Sequence, residues 1–459
     1  MVELYTASYK RSVLTLTCLA AGLVPFMGAS INLALPQIAI DYDMNSIGQS
    51  WMLTSFLLAA ALFQVPFGRL ADILGRKKVF RVGLWVIALS SFACAFPYGS
   101  TYMMVCRVFQ GIGSAMTFST GMAILTAVFE PKERGKAMGI NVAVVYVSLA
   151  LGPSLGGWLM TEWGWKSIFV LTSIVSLLAA IGCGAVIKQE WIEARGEHFD
   201  WKGTAMFSMA LLLLIYGFTI LPSWLGFLLI FVGSLLFVAF VKLERQVVQP
   251  VLNVNLFFTN RNFTLSSVAA LINYATTFPI GFFMSLYLQQ VKGLDVQYAG
   301  LLMMVQPLTQ AVLSPVAGSL SDKISSHWLA SIGMALLSIS LLSIGLFLTP
   351  ESSIFFVISV LALFGVGFAA FSSPNTNAIM SSVDKRDYSM ASATTGTMRL
   401  TGQAFSMGVA TMILALFLGD KRVTGAVSNE FMQAMHFVFI VFSVLNLFGI
   451  YPSMARKKK

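Results

Sequence analysis

The chain has 459 residues, 57% of them hydrophobic and only 10% charged, with a formal net charge of +10 and a mean hydropathy of +0.81. Soluble domains carry roughly 25% charged residues, so this composition excludes a soluble enzyme and predicts a single polytopic membrane unit. The cations are scattered over short loops, which excludes a nucleic-acid-binding face.

Residues Met1 to Arg11 lead into an apolar run over 13–35, too long for a signal-peptide core, so it reads as a retained first helix. Spans of roughly 20 apolar residues then predict fourteen helices, over 13–35, 50–69, 79–97, 102–127, 137–160, 166–187, 203–221, 225–243, 264–288, 298–320, 328–348, 354–380, 393–418 and 432–452. Charge asymmetry tests that count, because one missed span would exchange the sides of every later loop. The external loops hold only Lys166, Lys292, Lys421 and Arg422. The loops on the side of both termini hold, among others, Lys10, Arg11, Arg69, Arg76, Lys77, Lys78, Lys132, Arg134, Lys188, Arg195, Arg261, Lys385, Arg386 and Lys457 to Lys459. Both termini are therefore expected in the cytoplasm. Cys18, Cys94, Cys106 and Cys183 lie in apolar runs without metal-ligand spacing, so neither a disulfide framework nor a metal site is expected.

Polar chemistry interrupts this pattern at a few places, beginning with Asn32 near the end of the first span. Between the second and third spans stands Phe67-Gly68-Arg69-Leu70-Ala71-Asp72-Ile73-Leu74-Gly75-Arg76-Lys77-Lys78-Val79. Gly68 and Gly75 permit tight turns, and Asp72 stands where a carboxylate could cap a neighbouring helix. A solvated basic turn would account for the cations but not for Asp72 or the glycine spacing. The fourth span opens with Arg107-Val108-Phe109-Gln110-Gly111, and an arginine inside a span costs about 2.5 to 3.5 kcal/mol unless it faces protein or water. In the fifth span Ser148, Gly152 and Gly156 lie four apart on one face, beside Gly139, Pro153 and Gly157. Such a stripe lets a second helix approach closely.

The connections 188–202 and 244–261 bracket two spans, 203–221 and 225–243, that hold almost no polar side chains and so have little reason to line a watery path. They read as a pair inserted between two bundles of six, with residues 1–187 as the first bundle, 188–261 as linkers and inserted helices, and 262–459 as the second bundle with a basic tail. Gly318-Ser319-Leu320-Ser321-Asp322 repeats the beginning of the Gly68 to Asp72 pattern, as two related halves require.

The 67–79 stretch resembles the signature loop of the major facilitator superfamily, Gly-x-Leu-x-Asp-x-x-Gly-Arg-Lys, at Gly68, Leu70, Asp72, Gly75, Arg76 and Lys77. Arg107-x-x-Gln110-Gly111 resembles that superfamily's helix 4 motif, associated with proton transfer. Gly139, Ser148, Gly152-Pro153 and Gly156-Gly157 resemble the antiporter motif of its exporter branches, with Ser148 replacing a glycine. Together with Ser373-Pro374-Asn375-Thr376-Asn377 and Thr397 to Gln403, the whole chain resembles the fourteen-helix drug/proton antiporters. Met27 stands where many of those carry an acidic residue, and Ala29 where they carry threonine. The resemblance implies an all-α major facilitator fold of two six-helix bundles plus two inserted helices, and a gate at Gly68, Asp72, Gly75 and Arg76. It also implies coupling or substrate roles for Arg107, Gln110 and Arg399.

None of the nineteen acidic residues falls in the middle of a predicted span; Asp72, Glu162 and Asp322 come closest, and His436 near the end of the last span reads as a packed interfacial residue. The cavity is expected to be lined by Asn32, Gln64, Asn141, Tyr146, Asn273, Tyr274, Gln306, Gln310, Asn375, Asn377 and Gln403 together with Arg107 and Arg399, a set that favours neutral or anionic amphiphiles over lipophilic cations. The resulting expectation is a secondary active exporter of small organic compounds in a cytoplasmic (inner) membrane, of multidrug-efflux type, exchanging them for protons, monomeric and without cofactor. A dedicated exporter of an anionic metabolite or lipid-like molecule, and a transporter-fold sensor or receptor, are the alternatives. No phosphate-binding glycine loop and no catalytic constellation is present, so neither ATP-driven transport nor enzymatic chemistry is expected.

Overall fold

The computed structural model describes residues 5–96, 98–383, 388–419, 421, 423 and 428–456. Apolar runs in a bilayer must satisfy every backbone group within the segment, which leaves helices as the solution for this chain. They are α1 (Ala7–Asp41), α2 (Ser46–Leu74), α3 (Arg76–Ala95), α4 (Ser100–Val128), α5 (Pro131–Trp163), α6 (Lys166–Val186), α7 (Trp201–Thr219), α8 (Trp224–Glu244), α9 (Asn255–Thr259), α10 (Arg261–Thr277), α11 (Ile280–Leu286), α12 (Val296–Met303), α13 (Val305–Lys323), α14 (Ser326–Phe347), α15 (Ile354–Ser381), α16 (Tyr388–Leu418), α17 (Ser428–Phe448) and α18 (Ile450–Met454). Among the described residues there is no strand, and fourteen segments are long and apolar enough to cross a membrane. The number of spans is the one expected from hydropathy.

Where the structure departs from the expected spans, local chemistry explains it. Side-chain caps carry helices beyond their apolar runs: Thr6 accepts from the Tyr9 amide, Asn45 from Gly48 and Ser353 from Phe356. At its other end α2 also runs past the apolar run, so Gly68 to Asp72 lie in its last turns rather than in a loop, and Gly75 alone makes the turn, at φ +116°. The ninth span is broken at Pro279 into α10 and α11 and ends in a π-helical turn over Tyr287–Val291. Lys385, Arg386, Arg422 and Lys457 to Lys459, which entered the charge argument, lie outside the described residues, as does the side chain of Asp322.

In the first half α5 runs along α1, and α4 packs against both α2 and α3, with α3 against α6. In the second α15 packs against α13 and α14, α10 against α16, and α14 against α17. The two sets meet where α2 touches α16, where α5 touches α12 and α13, and where α1 touches α11. Helix α7 lies against α2, α8 and α16, while α8 turns Phe227, Phe231, Leu235 and Val238 outward. That outward face is suited to lipid.

Candidate functional site

Between the two sets of helices lies a cavity of about 2660 Å³. At one end the halves are fastened together. The Ser46 amide donates to the Lys421 carbonyl at 3.2 Å, Gln289 Nε2 donates to the Leu33 carbonyl at 2.9 Å, and the hydroxyls of Ser50 and Thr411 meet. At the other end, which carries the N-terminus, the walls include Tyr5, Lys10, Arg69, Asp72, Arg76, Glu130, Arg134 and Glu193, and this end forms the mouth. Among the described residues the acidic side chains that line the cavity are Asp72, Glu130 and Glu193, all at that mouth.

Deeper in, the walls carry cations and neutral polar groups. Arg107 is 1% exposed; its Nε donates to the Met52 carbonyl at 3.0 Å and its Nη1 to Gln110 Oε1 at 2.8 Å, while Gln110 Nε2 donates to Ser91 Oγ at 2.9 Å. The guanidinium also lies 4.5 Å from the Phe56 ring centroid and 3.9 Å from Met27 Sδ. A buried arginine is tolerated when backbone carbonyls and an aromatic face replace its water. The absence of an acid at position 27, flagged by sequence, is thus felt at Arg107 itself, where a thioether stands in place of a counter-ion.

Across the cavity, Arg399 on α16 is half-buried with its guanidinium 5.4 Å from the Phe118 ring of α4, and no ion pair to it occurs among the described residues. The Tyr146 hydroxyl of α5 lies 3.2 Å from Ser372 Oγ of α15, so these two groups bridge the halves partway along the cavity. Tyr274 adds an aromatic wall, edge-on to Phe368 at 5.7 Å.

The sequence profile of the Major Facilitator Superfamily matches residues 17–257 and 266–457. The chain belongs to that superfamily. It is 29% identical over 404 residues to "Riboflavin transporter RibZ" of Clostridioides difficile (strain 630), covering 87% of each chain. It is 28% identical over 413 residues to "Multidrug resistance protein Stp" of Mycobacterium tuberculosis, covering 88% of this chain and 76% of that one. Among solved structures it superposes at a TM-score of 0.71 and 15% identity on a bacterial homolog of the human lysosomal transporter Spinster in an inward-facing, occupied conformation, over 98% of this chain and 97% of that one. That likeness shows the fold. The protein is a multi-pass membrane transporter of the superfamily and not an enzyme.

Within this superfamily member the signature stretch is a web of ion pairs at the mouth. Asp72 Oδ1 accepts from Arg76 Nε at 2.9 Å, and the buried Arg76 also reaches Glu193 at 3.3 Å. Arg69 pairs with Glu197. The expectation that Asp72 caps a neighbouring helix is corrected here: the carboxylate at the N-terminus of α3 is Glu190, whose Oε1 accepts from the Lys77 amide at 2.8 Å. Glu190 Cδ also lies 2.5 Å from where a Cβ at Gly75 would stand, so glycine is needed there for space as well as for its positive φ. Apart from Asp72, the acidic partners come from the 188–202 connection, expected from the sequence to be a linker.

The small-residue stripe of α5 packs on α1 over most of its length. Ser30 Oγ donates to the Gly152 carbonyl at 2.8 Å, a Cβ at Gly152 would fall 2.6 Å from that of Ala29, and one at Gly156 would fall 2.6 Å from Ser30 Oγ. Ser148 Oγ meets Gly22 in the same way. The Pro153 carbonyl turns instead to Gly300 of α12, while Gly157 sits between Leu33 of α1 and the Val296 carbonyl of α12. Gly139 is different: nothing lies within 4 Å of its would-be Cβ, and it lines the cavity.

Of the remaining expected lining residues, Asn32, Gln64, Asn141, Tyr146, Gln306, Gln310, Asn377 and Gln403 line the cavity. Asn273 and Asn375 do not, and these two are corrected. Both are buried behind the wall, where Asn375 Nδ2 donates to the Ser266 carbonyl at 3.1 Å and its Oδ1 accepts from Arg456. Burial pushes the Arg456 guanidinium down to about 10, which leaves it charged at neutral pH. Glu162 is exposed, and His436 Nε2 sits 2.7 Å from the Leu348 carbonyl, an interhelical packing contact. Sequence reading missed Met27 as a contact of Arg107, the Glu190, Glu193 and Glu197 set, and Glu244, which is 1% exposed at the end of α8. The acidic run in the 188–202 connection was the available signal for the first set.

Proposed function

We propose that this protein is a secondary active exporter of small amphiphilic compounds that are neutral or anionic, working by alternating access with proton antiport. The observation that carries the reading is the charge of the deep cavity: two guanidinium groups, Arg107 and Arg399, with no carboxylate beyond the mouth among the described residues. In a low-dielectric chamber an unpaired cation attracts an anionic or polarisable solute and repels an organic cation. Aromatic walls from Phe56, Phe118, Tyr274 and Phe368 supply the apolar contact such a solute needs.

In this reading residues 1–187 and 262–459 rock against one another, with 188–261 as the inserted pair and its linkers, and the mouth described above faces the cytoplasm together with both termini. Transport as a monomer follows, because one chain encloses the whole cavity. The resemblance of Gly139, Ser148, Gly152, Pro153, Gly156 and Gly157 on α5 to the antiporter motif of the exporter branches supports export. The similarity to proteins named for riboflavin transport and for multidrug resistance supports an organic solute.

The test is flux in proteoliposomes under an imposed pH gradient, with matched anionic, neutral and cationic dyes. Gradient-driven movement of the anionic and neutral dyes is expected, with the cationic dye left behind. Preference for quaternary ammonium compounds would overturn the substrate assignment, and indifference to the gradient would overturn the antiport.

A further inference from the structure

Glu244 ends α8 and is 1% exposed, yet neither carboxyl oxygen has a hydrogen-bond partner. Facing it is Asp200, the N-cap of α7, whose Oδ1 accepts from the Gly203 amide at 2.9 Å while Oδ2 is buried without a partner. The two groups converge on Gly203: a Cβ there would fall on Asp200 Oδ2 and within 2.5 Å of Glu244 Oε1. Thr204 Oγ1 is buried and unpartnered one residue further along. The amides of Val251 and Leu252 face Glu244 without closing a hydrogen bond.

No cation answers these carboxyls among the described residues. Lys202 on α7 and Lys242 and Arg245 on α8 are exposed, and Arg245 stacks on Phe258 at 4.8 Å. Residues 246–254 carry no titratable group. In the 188–200 connection Glu197 is taken by Arg69, and His198 is exposed, its amide donating to Gln249. Two facing carboxyls beside an apolar cluster that includes Phe207, Phe240, Val251 and Leu252 are costly to hold there while both are charged.

We propose that Glu244 and Asp200 form a proton-binding site at the base of the inserted helix pair, with the proton on Glu244 and its hydroxyl donating to Asp200 Oδ2. The helix dipoles decide which acid is neutral. Asp200 stands at the N-terminus of α7, where negative charge is favoured, and Glu244 at the C-terminus of α8, where it is disfavoured. Deprotonation breaks the Glu244 O–H bond, passes the proton to water and leaves two facing carboxylates that push α8 from α7. Pro250, Val251 and Leu252 also line the central cavity, so the strain falls on its wall. Assigning this proton to coupling rests on the antiport reading; the existence of the site does not.

The test is infrared spectroscopy of the full chain in lipid at about pH 7, where an ordinary glutamate is ionised. The wild type should show a protonated-carboxyl band that Glu244→Gln lacks, and Asp200→Asn should move its midpoint to lower pH by removing the facing charge. Identical spectra of wild type and Glu244→Gln would overturn the site, as would a band abolished by added sodium ions at fixed pH. Dye flux in the same liposomes separates the two claims. Glu244→Gln should lose acceleration by a pH gradient while retaining dye exchange, and unchanged acceleration would overturn the coupling role. Absence of flux of every dye in the wild type would count against the exporter reading and leave the spectra standing.

Discussion

Arg107 is held by one carbonyl, one amide side chain, one aromatic ring and one thioether. Because Met27 supplies the thioether, Met27→Glu should place a carboxylate against the guanidinium and cancel the deep positive charge. Competition flux should then show anionic dyes losing relative to cationic ones, by about tenfold if 1.4 kcal/mol of attraction is removed. Arg399→Gln should weaken anionic dyes more than neutral ones, measured as the ratio of their half-saturation concentrations. The motifs made Arg107 and Arg399 visible in the sequence. That Met27 is the neighbour of Arg107 was not visible, because the two residues stand on different helices and only packing brings them together.

At the scale of elements, the α1–α5 contact rests on backbone approach at glycine. Gly156→Ala would press a methyl into Ser30, and overpacking of this kind costs about 1 to 3 kcal/mol. Gly139→Ala meets nothing and should be neutral or stabilising by about 0.5 to 1 kcal/mol through helix propensity. The thermal unfolding midpoint in detergent should therefore fall for Gly156→Ala and hold or rise for Gly139→Ala, although both residues belong to the same motif. The α2–α3 turn makes a second case. Asp72→Asn removes the charge that Arg76 binds most closely while leaving the deep cavity untouched. Transport rate should fall with binding affinity unchanged, and full activity in flux assays would remove the gating role.

For the whole molecule, the closed end depends on contacts between halves, among them Ser50 with Thr411. A Ser50→Cys, Thr411→Cys pair should form a disulfide under oxidation and stop transport, with activity restored by reductant. The native cysteines are all buried, so they should not compete. The oxidised protein should still admit a carboxyl reagent at the mouth, which labelling at Glu193 would report.

Hydropathy and charge alone determined the all-helical class and the fourteen crossings, because lipid leaves a greasy backbone one way to satisfy its hydrogen bonds, and that constraint acts segment by segment. Motif spacing likewise placed Asp72, Arg107 and the α5 stripe. Tertiary structure decided what each of these touches: that Glu190 and Glu193 answer the signature stretch, that Asn273 and Asn375 lie behind the wall, and that Glu244 meets Asp200. Those contacts join residues far apart along the chain. Their charge and burial depend on the approach of whole helices, for which no local pattern in a sequence exists.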